Sequence, residues 1–189
     1  MFFRPFGYFF PDLAAAETRT LILVGGAKTG SDPEEIPDGE YGLLEHFCAE
    51  PACDCRRVML YVCTPHDRKP LAVIAYGWED AAFYRRWLGN DDPTIVRMLR
   101  GPVLNPGSPA APFAHELLEL VQTLVLRDRA YVERLARHYR MFKSALAADA
   151  AAPSGGRPGA AKAQRDKERR AKRFAKQKAR QKAIARKRR

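Results

Sequence analysis

The stretch Arg57-Val58-Met59-Leu60-Tyr61-Val62-Cys63, followed after a short gap by Leu71-Ala72-Val73-Ile74-Ala75-Tyr76, decides the fold. Both runs are apolar and rich in β-branched and aromatic residues, which is typical of buried strands. The gap contains Asp67-Arg68-Lys69-Pro70, whose composition is that of a turn. The two runs therefore predict an antiparallel β-hairpin.

Further elements are predicted on both sides of this hairpin. Before it, the apolar run 20–24 ends at Gly25-Gly26, and residues 41–47 form another strand candidate. After it, helices are predicted at 80–88, 92–100, 113–127 and 129–148, the second starting at Asp92-Pro93 with an acidic cap and a first-turn proline. Strands first and helices last predict an α+β fold, a small antiparallel sheet followed by and packed on about four helices.

The last two helices each carry an apolar stripe at helical spacing. The stripe of the third helix consists of Phe113, Leu117, Leu120, Val121 and Leu124. The stripe of the fourth consists of Tyr131, Leu135, Tyr139, Phe142 and Leu146. His138 falls on the inward face of the last helix, whereas His115 points away from its stripe and is expected to face solvent.

Charge and composition divide the chain into three parts. We predict an aromatic N-terminal segment at 1–16, an α+β zinc-binding domain at 17–149 and a flexible basic tail at 150–189. Residues 151–189 contain 16 Lys or Arg and 2 acids, a net charge of +14. Residues 1–150 contain 17 Lys or Arg and 20 acids, a net charge of −3. The tail thus carries all of the excess positive charge.

Membrane and export signals are weak in this sequence. No run of about 18 apolar residues occurs, so no membrane span is expected. The apolar N-terminus is interrupted by Pro5, Gly7 and Pro11, unlike a secretory signal peptide. A cytoplasmic protein is therefore expected, in which the N-terminal phenylalanines pack on the body or on a partner.

Three of the four cysteines, Cys48, Cys53 and Cys55, fall within eight residues as C-x4-C-x-C. Such clustering in a cytosolic chain is typical of metal or redox chemistry. Closely spaced thiols in a turn can reach one ion, and structural zinc takes four Cys or His ligands in a tetrahedron. The motif predicts a structural Zn²⁺ site whose charge Arg56 and Arg57 would offset. The alternatives are three reduced thiols without a metal, or a Cys53/Cys55 redox pair.

The fourth ligand has to come from elsewhere. His138 is the preferred residue, although a core histidine satisfied by a hydrogen bond fits its position equally well. His46 remains open, since it shares a strand face with Cys48. Cys63 is set aside because an extended strand from 55 to 63 would separate its ends by about 26 Å.

The sequence contains four short motifs: Glu45-x-x-Cys48 with Cys53-Asp-Cys55-Arg56, then Tyr76-Gly-Trp-Glu79, Phe83-Tyr-x-x-Trp87 and His138-Tyr-x-x-Phe-Lys143. Together they resemble a set of small bacterial proteins for which no activity is established, over about residues 40–146. The resemblance implies a cysteine site and no particular function. The motif is also distantly similar to SWIM and SEC-C zinc modules, but it lacks the C-x-H ending of the first and the Ser-Gly, Lys and Cys-pair pattern of the second.

The tail is composed almost entirely of helix-forming residues, with only Phe174 and Ile184 as large apolar side chains. It cannot bury a core face, so alone it is expected to be disordered. Its cations are expected to bind RNA without sequence readout, ribosomal RNA being the most abundant target. The residues predicted to make these contacts are Arg165, Lys167, Arg169, Arg170, Lys172, Arg173, Lys176, Lys178, Arg180, Lys182, Arg186, Lys187, Arg188 and Arg189. The alternatives are a merely solubilising tail and a membrane-surface role, for which the tail lacks a lipid-facing stripe.

Signatures of catalysis are weak. The loop from Gly25 to Gly30 lacks the glycine that a Walker loop needs immediately before its lysine. The aromatic motifs at 76–79 and 83–87 predict a core between the sheet and a helix, with a ligand-binding groove as the alternative. The sequence therefore favours a non-enzymatic, zinc-stabilised adaptor that contacts RNA through its tail. An enzyme or thiol redox protein is the first alternative, and a DNA-binding regulator is the second.

Overall fold

A computed structural model describes residues 2–25, 36–66 and 69–151. The described residues up to Leu146 form one compact unit, and residues 147–151, the end of the last helix, belong to a second. The strands in the described part are β1 (Phe3–Pro5), β2 (Arg19–Leu23), β3 (Gly39–Cys48), β4 (Arg57–Cys63), β5 (Ala72–Gly77) and β6 (Val103–Leu104). They form one antiparallel sheet, which confirms the predicted α+β class and the β4–β5 hairpin.

The order of the sheet is β1-β3-β4-β5-β6, and β2 also pairs with β3. β4 occupies one edge of β3 over residues 42–47. β1 and β2 therefore share the opposite edge, β2 beside residues 39–43 and β1 beside residues 46–48. The N-terminal segment is thus built into the sheet and covers an edge that would otherwise be exposed.

The helices are α1 (Pro11–Glu17), α2 (Ala81–Leu88), α3 (Pro93–Arg100), α4 (Ala114–Leu120) and α5 (Arg129–Ala151). The sequence predicts all of them except α1. Asp80 caps α2 by accepting a hydrogen bond from the Phe83 amide at 2.7 Å, and α2 ends at Gly89 in the left-handed conformation. Asp92 caps α3, where Pro93 takes the first position as expected. None of the helices in the described residues is long and apolar enough to cross a membrane.

The main core lies on one face of the sheet. It receives alternate residues of the strands and the inward faces of α4 and α5, including all five residues predicted for the α5 stripe. Phe6, in a short 3-10 turn after β1, is buried in this core, so the aromatic N-terminus packs on the body. A smaller cluster, formed by Met59, Val73 and Ala75, lies on the opposite sheet face.

One residue of the predicted α4 stripe is misplaced. Leu124 is exposed, and Val125 is fully buried instead. The reason is a π-helical turn at Val121–Val125, closed by a hydrogen bond from the Leu126 amide to the Val121 carbonyl at 2.9 Å. A turn with i→i+5 bonding holds an extra residue, so the buried face moves forward by one position.

Candidate metal centre

The three clustered cysteines lie on the loop that joins β3 to β4. The pairing of these strands runs as far as Phe47 with Val58, so the chain leaves β3 at Cys48 and re-enters the sheet at Arg57 on the adjacent strand. The loop turns at Pro51, where the Cys53 amide donates to the Glu50 carbonyl at 3.1 Å. As a result, the sulfur atoms of Cys48, Cys53 and Cys55 all lie within 4.8 Å of one another. Tetrahedral Zn–S bonds of about 2.3 Å place sulfurs about 3.8 Å apart, so the three thiols can hold a metal ion with a small contraction.

Helices α2 and α5 hold this loop in place. From α5, Lys143 donates to the Glu50 carbonyl at 2.6 Å, and the Tyr139 hydroxyl donates to the Asp54 carboxylate at 3.2 Å. From α2, the Tyr84 hydroxyl donates to the Arg56 carbonyl at 2.9 Å. The loop is therefore fixed at both ends by side chains that lie far away in the sequence, which favours a preorganised site.

The thiols interact through hydrogen bonds. Hydrogen bonding from Cys55 is the main cause that lowers the pKa of Cys48 to about 6, and the Glu50 backbone, Cys53 and Lys143 add to it while burial opposes it. The same hydrogen bond, together with burial, raises the pKa of Cys55. Burial chiefly raises the pKa of Cys53. Cys48 is thus the sulfur most readily present as a thiolate, the form that binds metals.

The two arginines predicted to offset the thiolate charge behave differently. Arg56 adopts a left-handed backbone conformation and forms ion pairs with Asp54 and Glu79, both at 3.0 Å. Arg57 is buried beside the cluster; burial lowers its pKa, and the nearby Cys55 acts in the opposite direction. Of the two arginines, Arg57 is therefore the one that interacts electrostatically with the cluster, through Cys55, whereas Arg56 serves mainly to shape the loop.

His138 does not join the three thiols, which corrects its assignment as the fourth ligand. It is buried and inward-facing, as predicted, but Nδ1 lies 2.7 Å from a Glu45 carboxylate oxygen and Nε2 lies 3.0 Å from Glu17. Its ring stacks on Phe6 at 4.2 Å. The sequence could have indicated that Glu45 requires a buried partner, because it alternates with Tyr41, Leu43 and Phe47 on the buried face of β3, but not that His138 is that partner.

The other residues considered as ligands also lie apart from the cluster. His46 stacks on Tyr61 at 3.8 Å, and its Nδ1 lies 3.3 Å from the Leu44 carbonyl. Cys63 ends β4 at the end opposite the loop, where it pairs with Gly42. His115 is exposed on α4, as predicted. Residues 165–189, which contain the predicted RNA-binding cations, fall outside the described residues.

The aromatic motifs at 76–79 and 83–87 place some side chains in the core and others at the surface. Tyr84 is fully buried, in agreement with a sheet–helix core. Trp78 packs edge-on against Tyr139 at 5.3 Å, and both line a surface pocket of about 260 Å³ beside Asp54 and Arg56. This pocket borders the cysteine loop, which Tyr84 and Tyr139 support through hydrogen bonds, while Trp78 lines the pocket.

Searches against protein-family models, curated proteins and solved structures give no match to this chain. The resemblance to small bacterial proteins therefore remains an expectation from the sequence. The class supported by the fold and the site is that of an α+β protein with a three-cysteine cluster able to hold a metal ion.

Replacement of His138 by alanine is expected to lower the free energy of unfolding by about 2–3 kcal/mol, because it leaves the buried Glu45 carboxylate without its partner. The metal content per chain is expected to stay unchanged. Chemical denaturation and elemental analysis measure the two quantities. As a control, His115→Ala on the exposed face of α4 should shift stability by less than about 0.5 kcal/mol. A folded His138→Ala protein that has lost its metal would contradict this assignment.

Gly77 at the end of β5 leaves room for Tyr84 to reach the cysteine loop. A Cβ at this position would lie 2.6 Å from Tyr84 Cζ and 3.0 Å from the Leu99 carbonyl oxygen. Gly77→Ala is therefore expected to destabilise the fold by about 1–3 kcal/mol through overpacking. Gly42→Ala in β3 is the matched control, since its added Cβ finds its nearest atoms 3.7 and 3.8 Å away. Equal unfolding midpoints for the two variants would refute the close packing of Tyr84.

Proposed function

We propose that the protein is a non-enzymatic adaptor, in which a zinc ion stabilises the α+β body and the basic tail contacts RNA. The observation that carries the zinc assignment is the convergence of three sulfurs on one loop. Thiolates select soft or borderline ions such as zinc over magnesium or calcium. The supports from Tyr84, Tyr139 and Lys143 fit a structural site, because the ion would hold the β3–β4 loop in the conformation that α2 and α5 contact.

The RNA half of the proposal rests on charge. The body is mildly acidic and the segment 151–189 carries a net charge of +14, so polyanion binding would depend on that segment. Binding of this kind is driven by the release of counterions and does not read sequence. RNA is favoured over DNA because arginine-rich segments that fold on RNA are a known mode of recognition. In this arrangement the body remains available for a second partner.

Thiol redox chemistry is the second candidate function. It is favoured by the closeness of the three sulfurs and by the partial exposure of Cys53, which a small oxidant can reach. A disulfide requires a separation of about 2.05 Å, so two of the sulfurs would have to approach each other further. This reaction and zinc binding use the same atoms and exclude each other.

Metal content separates the two functions. Protein purified without added metal is expected to contain about one zinc ion per chain by elemental analysis, because one cluster of three thiols is present among the described residues. A metal-free protein that cycles between dithiol and disulfide would refute the zinc assignment and support the redox function.

A further inference from the structure

The position of every thiol and every imidazole group of the chain is described. All four cysteines and all four histidines lie within the described residues. Three of the cysteines form the cluster; Cys63 and His46 lie elsewhere in the sheet, and His138 is held between two carboxylates. His66 and His115 are exposed, the first three residues beyond Cys63 and the second on α4. The chain thus supplies three soft ligands to the cluster.

Carboxylates in the described residues do not provide the fourth metal ligand either. Asp54 is the nearest in sequence, since it lies between Cys53 and Cys55. Its oxygens are held by Arg56 at 3.0 Å and by the Tyr139 hydroxyl at 3.2 Å. No Asp or Glu of the described ranges joins the sulfurs within 4.8 Å. A zinc ion bound to three protein groups keeps a fourth position for water or another ligand.

Burial and charge indicate how that position is reached and filled. Cys48 and Cys55 are fully buried, whereas Cys53 is partly exposed, so solvent approaches the cluster from the side of Cys53. Three thiolates and Zn²⁺ carry a net charge of −1, which the neighbouring Arg57 and Lys143 offset. A neutral nitrogen donor adds no further negative charge beside Asp54, and Cys₃His is a common zinc ligand set.

We infer that zinc at Cys48, Cys53 and Cys55 keeps its fourth coordination position open to an imidazole supplied from outside the chain. Water fills the position in the isolated protein, and a histidine of a partner protein replaces it. The inference rests on the proposed zinc site. It gives the adaptor a means of attachment, since a partner's histidine would complete the tetrahedron.

Cobalt substitution tests this inference. In the full-length protein loaded with Co²⁺, the sulfur-to-cobalt charge-transfer absorbance is expected to be about three-quarters of that of a four-thiolate reference. Titration with free imidazole should shift the cobalt d–d bands saturably while the metal stays bound, as checked by gel filtration. Cys63→Ser and His46→Ala should give the spectrum and the titration of the unaltered protein.

The possible outcomes distinguish a missing metal site from a metal site without an open coordination position. Protein that binds neither cobalt nor zinc would remove the site itself. Bound cobalt with a four-thiolate spectrum, or a spectrum that changes in Cys63→Ser or His46→Ala, would show that the chain closes its own site. A three-thiolate spectrum that does not respond to imidazole would also overturn the open position.

Discussion

Replacement of Cys55 by serine is expected to reduce the zinc content to less than about a tenth of that of the unaltered protein. Cys55 is fully buried and hydrogen-bonded to Cys48, so its loss removes one of three ligands and the group that shares a proton with Cys48. A ligand present at about a thousandfold above its dissociation constant stabilises a protein by about 4 kcal/mol, and this contribution should disappear. Elemental analysis and thermal unfolding, with and without chelator, measure the effect.

The matched control is Cys63→Ser. Cys63 lies at the far end of β4 from the cysteine loop, so this variant should keep its zinc and its sensitivity to chelator. Chelator should lower the unfolding temperature of the wild-type protein but leave that of Cys55→Ser unchanged, because the variant already lacks the metal. Full zinc occupancy in Cys55→Ser, or loss of zinc in Cys63→Ser, would refute the assignment of the site.

Truncation after residue 151 is expected to weaken RNA binding by about a thousandfold at low salt, since it removes the segment that carries the excess positive charge. If about seven of its cations contact phosphates, log K for the full chain should fall with log salt with a slope of about −5. The truncated chain, which keeps every described residue up to the end of α5, should show almost no slope. Fluorescence anisotropy with a single-stranded RNA over a salt series measures both.

A full-length variant with a scrambled tail of the same composition is the control for this experiment. Its affinity and salt slope should match those of the natural tail, because the proposed contact does not read sequence. Unchanged binding after truncation would remove the tail from the function. Binding that the scrambled tail loses would show sequence-dependent recognition instead.

The site was only partly predictable from the sequence. The spacing of Cys48, Cys53 and Cys55 is local, so the metal cluster could be proposed before its geometry was known. The environment of His138 could not be predicted, because Glu17 lies 121 residues away in the sequence and Glu45 lies 93 residues away. The helical period places His138 on the inward face, but the groups that meet it there depend on the register of β3 and the position of α1.

The N-terminal region and the π turn were missed for related reasons. β1 has three residues, too few for a detectable alternation, and it is a strand because β3 offers it an open edge. α1 is one short helix whose only apparent signal is Pro11 followed by alanines. The π turn changes the buried residue from Leu124 to Val125 through a single shifted hydrogen bond, which leaves the composition of the helix unchanged.

By itself, the amino-acid sequence determined the α+β class, the β4–β5 hairpin, the inward faces of the later helices and the concentration of positive charge after residue 150. These features depend on the period and composition of neighbouring residues. Tertiary structure alone decided that His138 pairs with two carboxylates instead of joining the three sulfurs. That pairing depends on strand register and helix packing, which bring together residues that no local pattern relates.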